Sequence, residues 1–381
     1  MGSFILSGRR PTGNRFHTAQ ALGIHFVLAL ALLSLLVSAN CSATIQDVIF
    51  GDGFDGFDLT TCDAGLTSDS SDAAQYAAAI DLCKTTTEQA AGWGLISATL
   101  TLPPGTGTPE PISRRIQTTF GSGITPRAGA AMAVLSSGVA VDAGAPLFFP
   151  FQPGLIAGSV STAPADWLAA HGGVFPVAPG CPPAGSVAAI DAVMLTLRIR
   201  VPGNARSFSV AANFLGADYP ENVCGPYNDL FVALLDSGFA GAPANPADKN
   251  LATYTAANLD LYPVGVNLAR TNPGLFTQCV NGATGCLYGS SGSTSTCTAT
   301  SGLTGTGMDT PAIDEDVCGA SNGVVGGGTD WLVLRGNVVP GEIIQLRFAI
   351  WDTGDPYYDS LVTLDKFRWS HIVTTPGATR N

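Results

Sequence analysis

Residues 195–214 read LTLRIRVPGNARSFSVAANF. Leu195, Leu197, Ile199 and Val201 alternate with Thr196, Arg198 and Arg200. Beyond Pro202-Gly203-Asn204, Phe208, Val210, Ala212 and Phe214 alternate with Ser207, Ser209, Ala211 and Asn213. Successive side chains of a strand point to opposite faces, so an apolar residue at every second position marks a strand with one buried face. Two such runs about a Pro-Gly-Asn turn predict an antiparallel hairpin.

Outward from this pair the same signal recurs. Leu95 to Leu102 alternates, Met132 to Leu135 is a short apolar run, and Trp331–Leu334, Ile343–Trp351 and Ser360–Trp369 read as three further strands. Leu230 to Leu235 is apolar at every position, which predicts a central strand buried on both faces. The one convincing helix is residues 72–83, DAAQYAAAIDLC, where an Ala-rich body follows the capping residues Ser70, Ser71 and Asp72. Residues 142–187 are rich in Pro and Gly and read as a long irregular insertion; residues 280–329 are rich in Gly, Ser and Thr and read as a stapled excursion. With no alternation of strand and helix, the expected class is mainly β: an antiparallel, jelly-roll-like β-sandwich with one short N-terminal helix and long disulfide-bearing loops.

The N-terminus is a different kind of sequence. Arg9, Arg10 and Arg15 precede an almost wholly apolar stretch, Leu22 to Ala39, and small residues follow at Val37-Ser38-Ala39 and Cys41-Ser42-Ala43. A basic region, an apolar core and a small-x-small site describe a signal peptide, here residues 1–43. A retained membrane anchor and a lipoprotein acylated at Cys41 are the other readings, and either would make this segment the chain's membrane contact. Residues 44–61 follow as a lead-in linker, 62–370 as the β-sandwich domain and 371–381 as a polar tail.

Three of the 17 basic residues and none of the 29 acidic ones lie in 1–43, so the remainder is three charges more acidic than the whole chain's −12. That balance excludes a nucleic-acid partner, which needs a basic face. Beyond the leader there are eight cysteines, Cys62, Cys83, Cys181, Cys224, Cys279, Cys286, Cys297 and Cys318. An even number in an exported chain predicts disulfides. Nearness in sequence favours Cys62–Cys83 and Cys279–Cys286. No CxxC pair or Cys/His cluster suggests zinc.

Catalytic motifs are sparse. G-x-S-x-G, HExxH and the P-loop pattern are absent, and His171 and His371 sit in a Gly-rich loop and in the tail. Leu234-Leu235-Asp236-Ser237-Gly238 and Ile350-Trp351-Asp352-Thr353-Gly354 each resemble the Asp-Thr/Ser-Gly segment of pepsin-like proteases, in which two carboxyls share a proton. Phe239 and Asp355 follow where that family has Ser or Thr, and turn chemistry alone accounts for both segments. A secreted aspartic protease using Asp236 and Asp352 is therefore the weakest reading.

Two acidic segments between strands fit a cation better: ADYPENVCGPYND (217–229), with Asp218, Glu221, Asn228 and Asp229, and WDTGDPYYDS (351–360), with Asp352, Asp355 and Asp359. Calcium takes oxygen ligands from carboxylates, amides and carbonyls. A fold that joins the two loops would make Glu221, Asn228, Asp229, Asp352, Asp355 and Asp359 a calcium set. Tyr219, Tyr227, Tyr357 and Tyr358 beside them suit either the stacking of a sugar or the edge of the core.

These segments resemble a known family. DAAQYAAAIDLC with WGLISATLTL, FGSGITPRAGAAMAVLSSG (120–138), SFSVAANFLGADYPENVCGPYNDLFVALL (207–235) and the closing strands 331–369 are similar to the bacterial choice-of-anchor L domain, over roughly residues 60–370 with gaps at 142–187 and 280–329. The resemblance implies a secreted or surface-attached bacterial protein without established catalytic activity. The family's C-terminal sorting signals have no counterpart after Trp369, which points to release or to attachment through the N-terminus. The expected function is adhesion or extracellular matrix contact, non-enzymatic and calcium-stabilised, toward an extracellular partner or polysaccharide. The alternative is a carbohydrate-binding, lectin-like module with a shallow aromatic groove.

Overall fold

The computed structural model describes residues 61–148, 159–270, 274–280, 297, 299–311, 316–317, 320–321 and 324–380. The leader 1–43, the lead-in as far as residue 60, Cys286 and Cys318 lie outside the described residues. In chain order the first strands are β1 (Gly94–Thr101), β2 (Arg114–Gln117), β3 (Met132–Ser136), β4 (Val160–Thr162), β5 (Ala188–Arg200) and β6 (Ser207–Gly216). Then come β7 (Leu230–Asp236), β8 (Thr253–Thr255), β9 (Leu261–Pro263), β10 (Gln278–Cys279), β11 (Asp316–Val317) and β12 (Ala320–Ser321). The chain closes with β13 (Gly327–Asn337), β14 (Ile343–Asp352), β15 (Ser360–Ser370) and β16 (Gly377–Arg380). Two short helices accompany them, α1 (Ala73–Ala79) and α2 (Ala165–Ala170).

The long strands form two antiparallel sheets. One has the order β1-β5-β14-β7, with β4 beside the start of β5; the other runs β10-β13-β6-β15-β3-β2, with β16 beside β13. Alternation explains how they pack. Val193, Leu195, Leu197 and Ile199 of β5, Phe231 and Ala233 of β7, and Leu346, Phe348 and Ile350 of β14 face inward from the first sheet. Phe208, Val210, Ala212 and Phe214 of β6, Leu332 and Leu334 of β13, and Val362 and Leu364 of β15 meet them from the second. Each such buried Phe, Leu or Ile contributes about 1.5–3 kcal/mol by leaving water. The result is the expected β-sandwich.

Its outer faces are covered too. Trp167 of α2 and Phe175 lie over Met194, Val232, Leu234, Ala349 and Trp351 of the first sheet. Phe120, Ile124, Leu303 and Met308 lie over Met132, Val134, Leu215 and Trp331 of the second. This second layer buries β7 on both faces and covers Ala211 and Leu215 on the outer face of β6. α1 begins at Asp72, whose Oδ1 accepts the Ala74 N–H at 2.9 Å, and buries Tyr76, Ala77 and Ala79.

Four expectations are corrected. β5 and β6 do not pair: Pro202-Gly203-Asn204 carries the chain from one sheet to the other, as an arch rather than a hairpin. β7 ends the hydrogen-bonded order of its sheet rather than lying at its centre, and is apolar all round because both its faces are covered. The 142–187 insertion holds β4 and α2. The tail is not free: β16 pairs with Leu332–Arg335 of β13.

Candidate functional site: a row of buried carboxyls

The sheet order gathers the strand ends that launch the long connections. Ile190 near the start of β5 pairs with Asp352 at the end of β14, and Trp351 pairs with Leu230 at the start of β7. Gly216 at the end of β6 pairs with Ser360 at the start of β15 and with Gly327 at the start of β13. Segments 137–159, 171–187, 217–229, 266–326 and 353–359 therefore all spring from one end of the sandwich. The other end carries the turns at 201–206 and 338–342, where Val201 N–H bonds Glu342 O and Arg206 N–H bonds Ser370 O, together with the connections 118–131 and 237–252.

Two of the connections that cross between the sheets carry the acidic segments. Residues 217–229 pass from β6 to β7, and 353–359 pass from β14 to β15, so their acidic residues converge. Asp229 Oδ1 accepts the Thr353 N–H at 3.0 Å and Oδ2 accepts the Ser360 hydroxyl at 2.8 Å. Ser360 N–H donates to Ser137 Oγ at 2.9 Å, and Ser137 N–H donates to Ser360 O at 2.9 Å. Asp218 Oδ1 accepts the Asn222 amide at 2.8 Å. Ala217 N–H donates to the Asp359 carbonyl at 3.0 Å. Gly138 is required here, since a Cβ at that position would overlap the Asp359 carboxylate.

Asp352 is the residue these contacts leave open. It is 0% exposed, and neither of its carboxylate oxygens has a hydrogen-bond partner at bonding geometry; Asp218 Oδ2 is in the same state. Burial pushes the carboxyls of Asp218, Asp229 and Asp352 well above the usual range, and mutual repulsion adds to it: Asp218 acts on Asp229, Asp229 and Asp359 on Asp352. Asp359, at the outer end of the row and partly exposed, is pushed up to about 7 by burial and by Asp191. Among the described residues, no Lys, Arg or His is one of the main groups acting on these four carboxyls. The arrangement is a row and not a finished cage: among the described residues no three carboxylate, imidazole or thiolate groups stand ready around one ion.

Of the six sequence-derived ligands, Asp229, Asp352 and Asp359 meet here. Asn228 does not serve, because its Oδ1 accepts the Asn267 N–H at 3.2 Å and holds the turn at 266–269. Asp355 lies beside the row, its charge acting on Asp218, but it is partly exposed and its carboxylate closes its own turn by accepting the Tyr357 N–H at 3.0 Å. Glu221 is partly buried in the 217–229 loop. Asp218 belongs to the row and the ligand set omitted it. Asp191 was also missed; its Oδ1 accepts the Ser159 N–H at 2.6 Å. One acid inside the apolar run AAIDAVML was the signal for it.

The protease pair separates. Asp236 pairs with Gln345 and Leu230 with Trp351, so Asp236 and Asp352 stand at opposite ends of β7 and β14. Six residues of strand put about 20 Å between them. Asp236 is engaged instead by Arg347, at 3.0 Å, and by Lys249. Tyr219 is 0% exposed with its ring 5.1 Å from that of Phe276, so it belongs to the core. An open groove of about 430 Å³ beside α2 is lined by Thr99, Thr101, Pro104, Thr196, Gln345 and Arg347 among others, and no aromatic ring borders it. The aromatic sugar groove is thus not found there.

Among the described residues three disulfides tie the loops: Cys62–Cys83, Cys181–Cys224 and Cys279–Cys297. The first is as expected; the third corrects Cys279–Cys286. Among the described residues no helix is long and apolar enough to cross a membrane. Compared with family models, curated proteins and solved structures, the chain matches none of them.

Proposed function

We propose that the chain is exported and acts outside the cytoplasm, or at the cell surface, as a non-enzymatic contact module. It presents the loop-bearing end of its sandwich to an extracellular partner or polysaccharide. One observation carries this reading: five connections gather at one end of a rigid scaffold, where two disulfides, Cys181–Cys224 and Cys279–Cys297, restrain them. Binding residues concentrate on loops held by such scaffolds. Disulfides suit an oxidising compartment, the basic and apolar N-terminus suits export, and the resemblance to the choice-of-anchor L domain suits a surface role.

Tyr357, 49% exposed on the 353–359 turn, is the aromatic anchor this reading favours. The test is retention of the secreted, oxidised protein on immobilised matrix proteins, polysaccharides and whole cells. Retention should fall about tenfold for Tyr357→Ala and stay unchanged for Arg200→Ala at the opposite end. A tenfold loss corresponds to about 1.4 kcal/mol, ordinary for an interface aromatic. No retention on any surface, or equal loss in both variants, would count against the proposal. Retention on polysaccharide alone would select the lectin-like alternative.

A further inference from the structure

We infer that Asp218, Asp229 and Asp352, with Asp359 at the outer end, form a binding site for a calcium ion that ties the two crossovers together. This inference is independent of what the loop end contacts.

The argument begins with cost. A buried carboxylate without a partner is among the most expensive groups a fold can hold, so the site either keeps a proton or draws in a cation. Arg368 meets that need for the buried Asp81, at 2.9 Å. Among the described residues nothing basic does so for the row. Asp352 keeps two uncommitted oxygens at 0% exposure, and Asp218 keeps one. Asp229, between them, is already oriented by Thr353 N–H and the Ser360 hydroxyl. An ion needs the open oxygens of Asp218 and Asp352 to turn toward Asp229, whose carboxyl already acts on both, and away from the Ser137 hydroxyl that also acts on Asp352.

The donor set selects the metal. All the side chains are oxygen donors, and no Cys or His belongs to the row, which disfavours zinc. Magnesium keeps several of its waters and demands near-ideal octahedral geometry, a poor match for a dry row between two sheets. Calcium accepts six to eight oxygens in flexible geometry and can take them from carboxylates and the neighbouring hydroxyls and carbonyls. Its place in the fold is mechanical: Asp229 lies at the start of β7 in one sheet, and Asp359 precedes β15 in the other.

Trp351, 0% exposed and adjacent to Asp352, supplies a built-in sensitiser. The experiment adds terbium to the wild-type oxidised protein at neutral pH and excites tryptophan. Sensitised terbium emission should appear, be displaced by calcium and not by equimolar magnesium, and vanish in Asp352→Asn. In parallel, the wild-type melting midpoint should rise by roughly 5 °C or more in saturating calcium relative to chelator. Absence of emission together with no calcium shift would overturn the site and leave shared protons holding the row. So would emission that persists in Asp352→Asn. Should that variant fail to fold, the wild-type emission and melting shift still decide.

Discussion

Asp229 and Ser360 join the two sheets directly: the Ser360 hydroxyl, at the start of β15, donates to Asp229 Oδ2, just before β7, at 2.8 Å. Both residues are buried, at 1% and 0% exposure. A buried hydrogen bond to a carboxyl is worth about 1.5–3 kcal/mol, and removing one partner strands the other. We expect Ser360→Ala to cost about 1–2 kcal/mol. Asp229→Ala, which also frees the Thr353 N–H, should cost about 3 kcal/mol or more. A double-mutant cycle by urea unfolding, in chelator, should give a coupling of at least ~1 kcal/mol. Additive losses would mean that the two residues act separately.

The Cys62–Cys83 bond spans 21 residues and encloses α1. In the chain-entropy account a loop of that size is worth about 3 kcal/mol. It also places Asp63, whose Oδ2 accepts the Ala130 and Ala131 N–H groups at 2.5 and 2.6 Å. The C62A/C83A variant should lose about 3 kcal/mol in urea unfolding. Amide exchange should quicken in both α1 and residues 129–131. Faster exchange in α1 alone would show that Asp63 holds its loop without help from the disulfide.

How much of this was legible in the sequence differs by residue. The inward rows Leu195-Leu197-Ile199 and Phe208-Val210-Ala212-Phe214 were visible, because alternation depends only on local geometry. That the rows face each other from opposite sheets was not visible: an arch and a hairpin share the same pattern and turn residues, and the sheet partners, Leu346 for Leu197 and Leu334 for Val210, lie far along the chain. Asp229, Asp352 and Asp359 were legible as acids at strand ends. Asn228 was misread because its role is set by Asn267, 39 residues away. Cys297 prevails over Cys286 as the partner of Cys279 because chain nearness does not set Cα separation, which is 5.6 Å for the observed pair.

Arg347 pins α2 to the first sheet. Its Nη1 and Nη2 donate to Asp166 Oδ1 and Oδ2 at 2.9 and 2.7 Å, and Lys249 Nζ donates to Asp166 at 2.8 Å. The Arg347 hydrogen bond holds the Asp166 carboxyl well below the usual range. Beneath lies Trp167, 5.6 Å from Trp351 ring to ring. Arg347→Met keeps much of the stem's packing and removes the fork. It should raise hydrogen exchange several-fold in residues 165–170 and leave β14 protected. Unchanged exchange would mean that Trp167 alone anchors the helix, the charges on the partly exposed Asp166 adding little.

Asp365 makes the pH dependence of this fold run against the usual direction for a paired carboxylate. It is 0% exposed, and burial pushes its carboxyl up to about 7; N–H groups of Ala128, Arg127 and Lys366 offset this in part, and Asp81, itself paired with Arg368, adds to it. The folded state therefore holds this proton more tightly than the unfolded chain, where the group titrates near 3.8. Its contribution to stability is complete below that value and is lost as pH rises through about 7. Acidifying from pH 8 to pH 5.5 should raise the urea midpoint, with a slope of at most about 1.4 kcal/mol per pH unit for this one proton. Asp81 and the carboxyl row shift in the same sense, so the decisive quantity is the difference between wild type and Asp365→Asn across that window. The variant's profile should be flatter. Parallel profiles would mean that the three backbone N–H groups keep Asp365 ionised throughout.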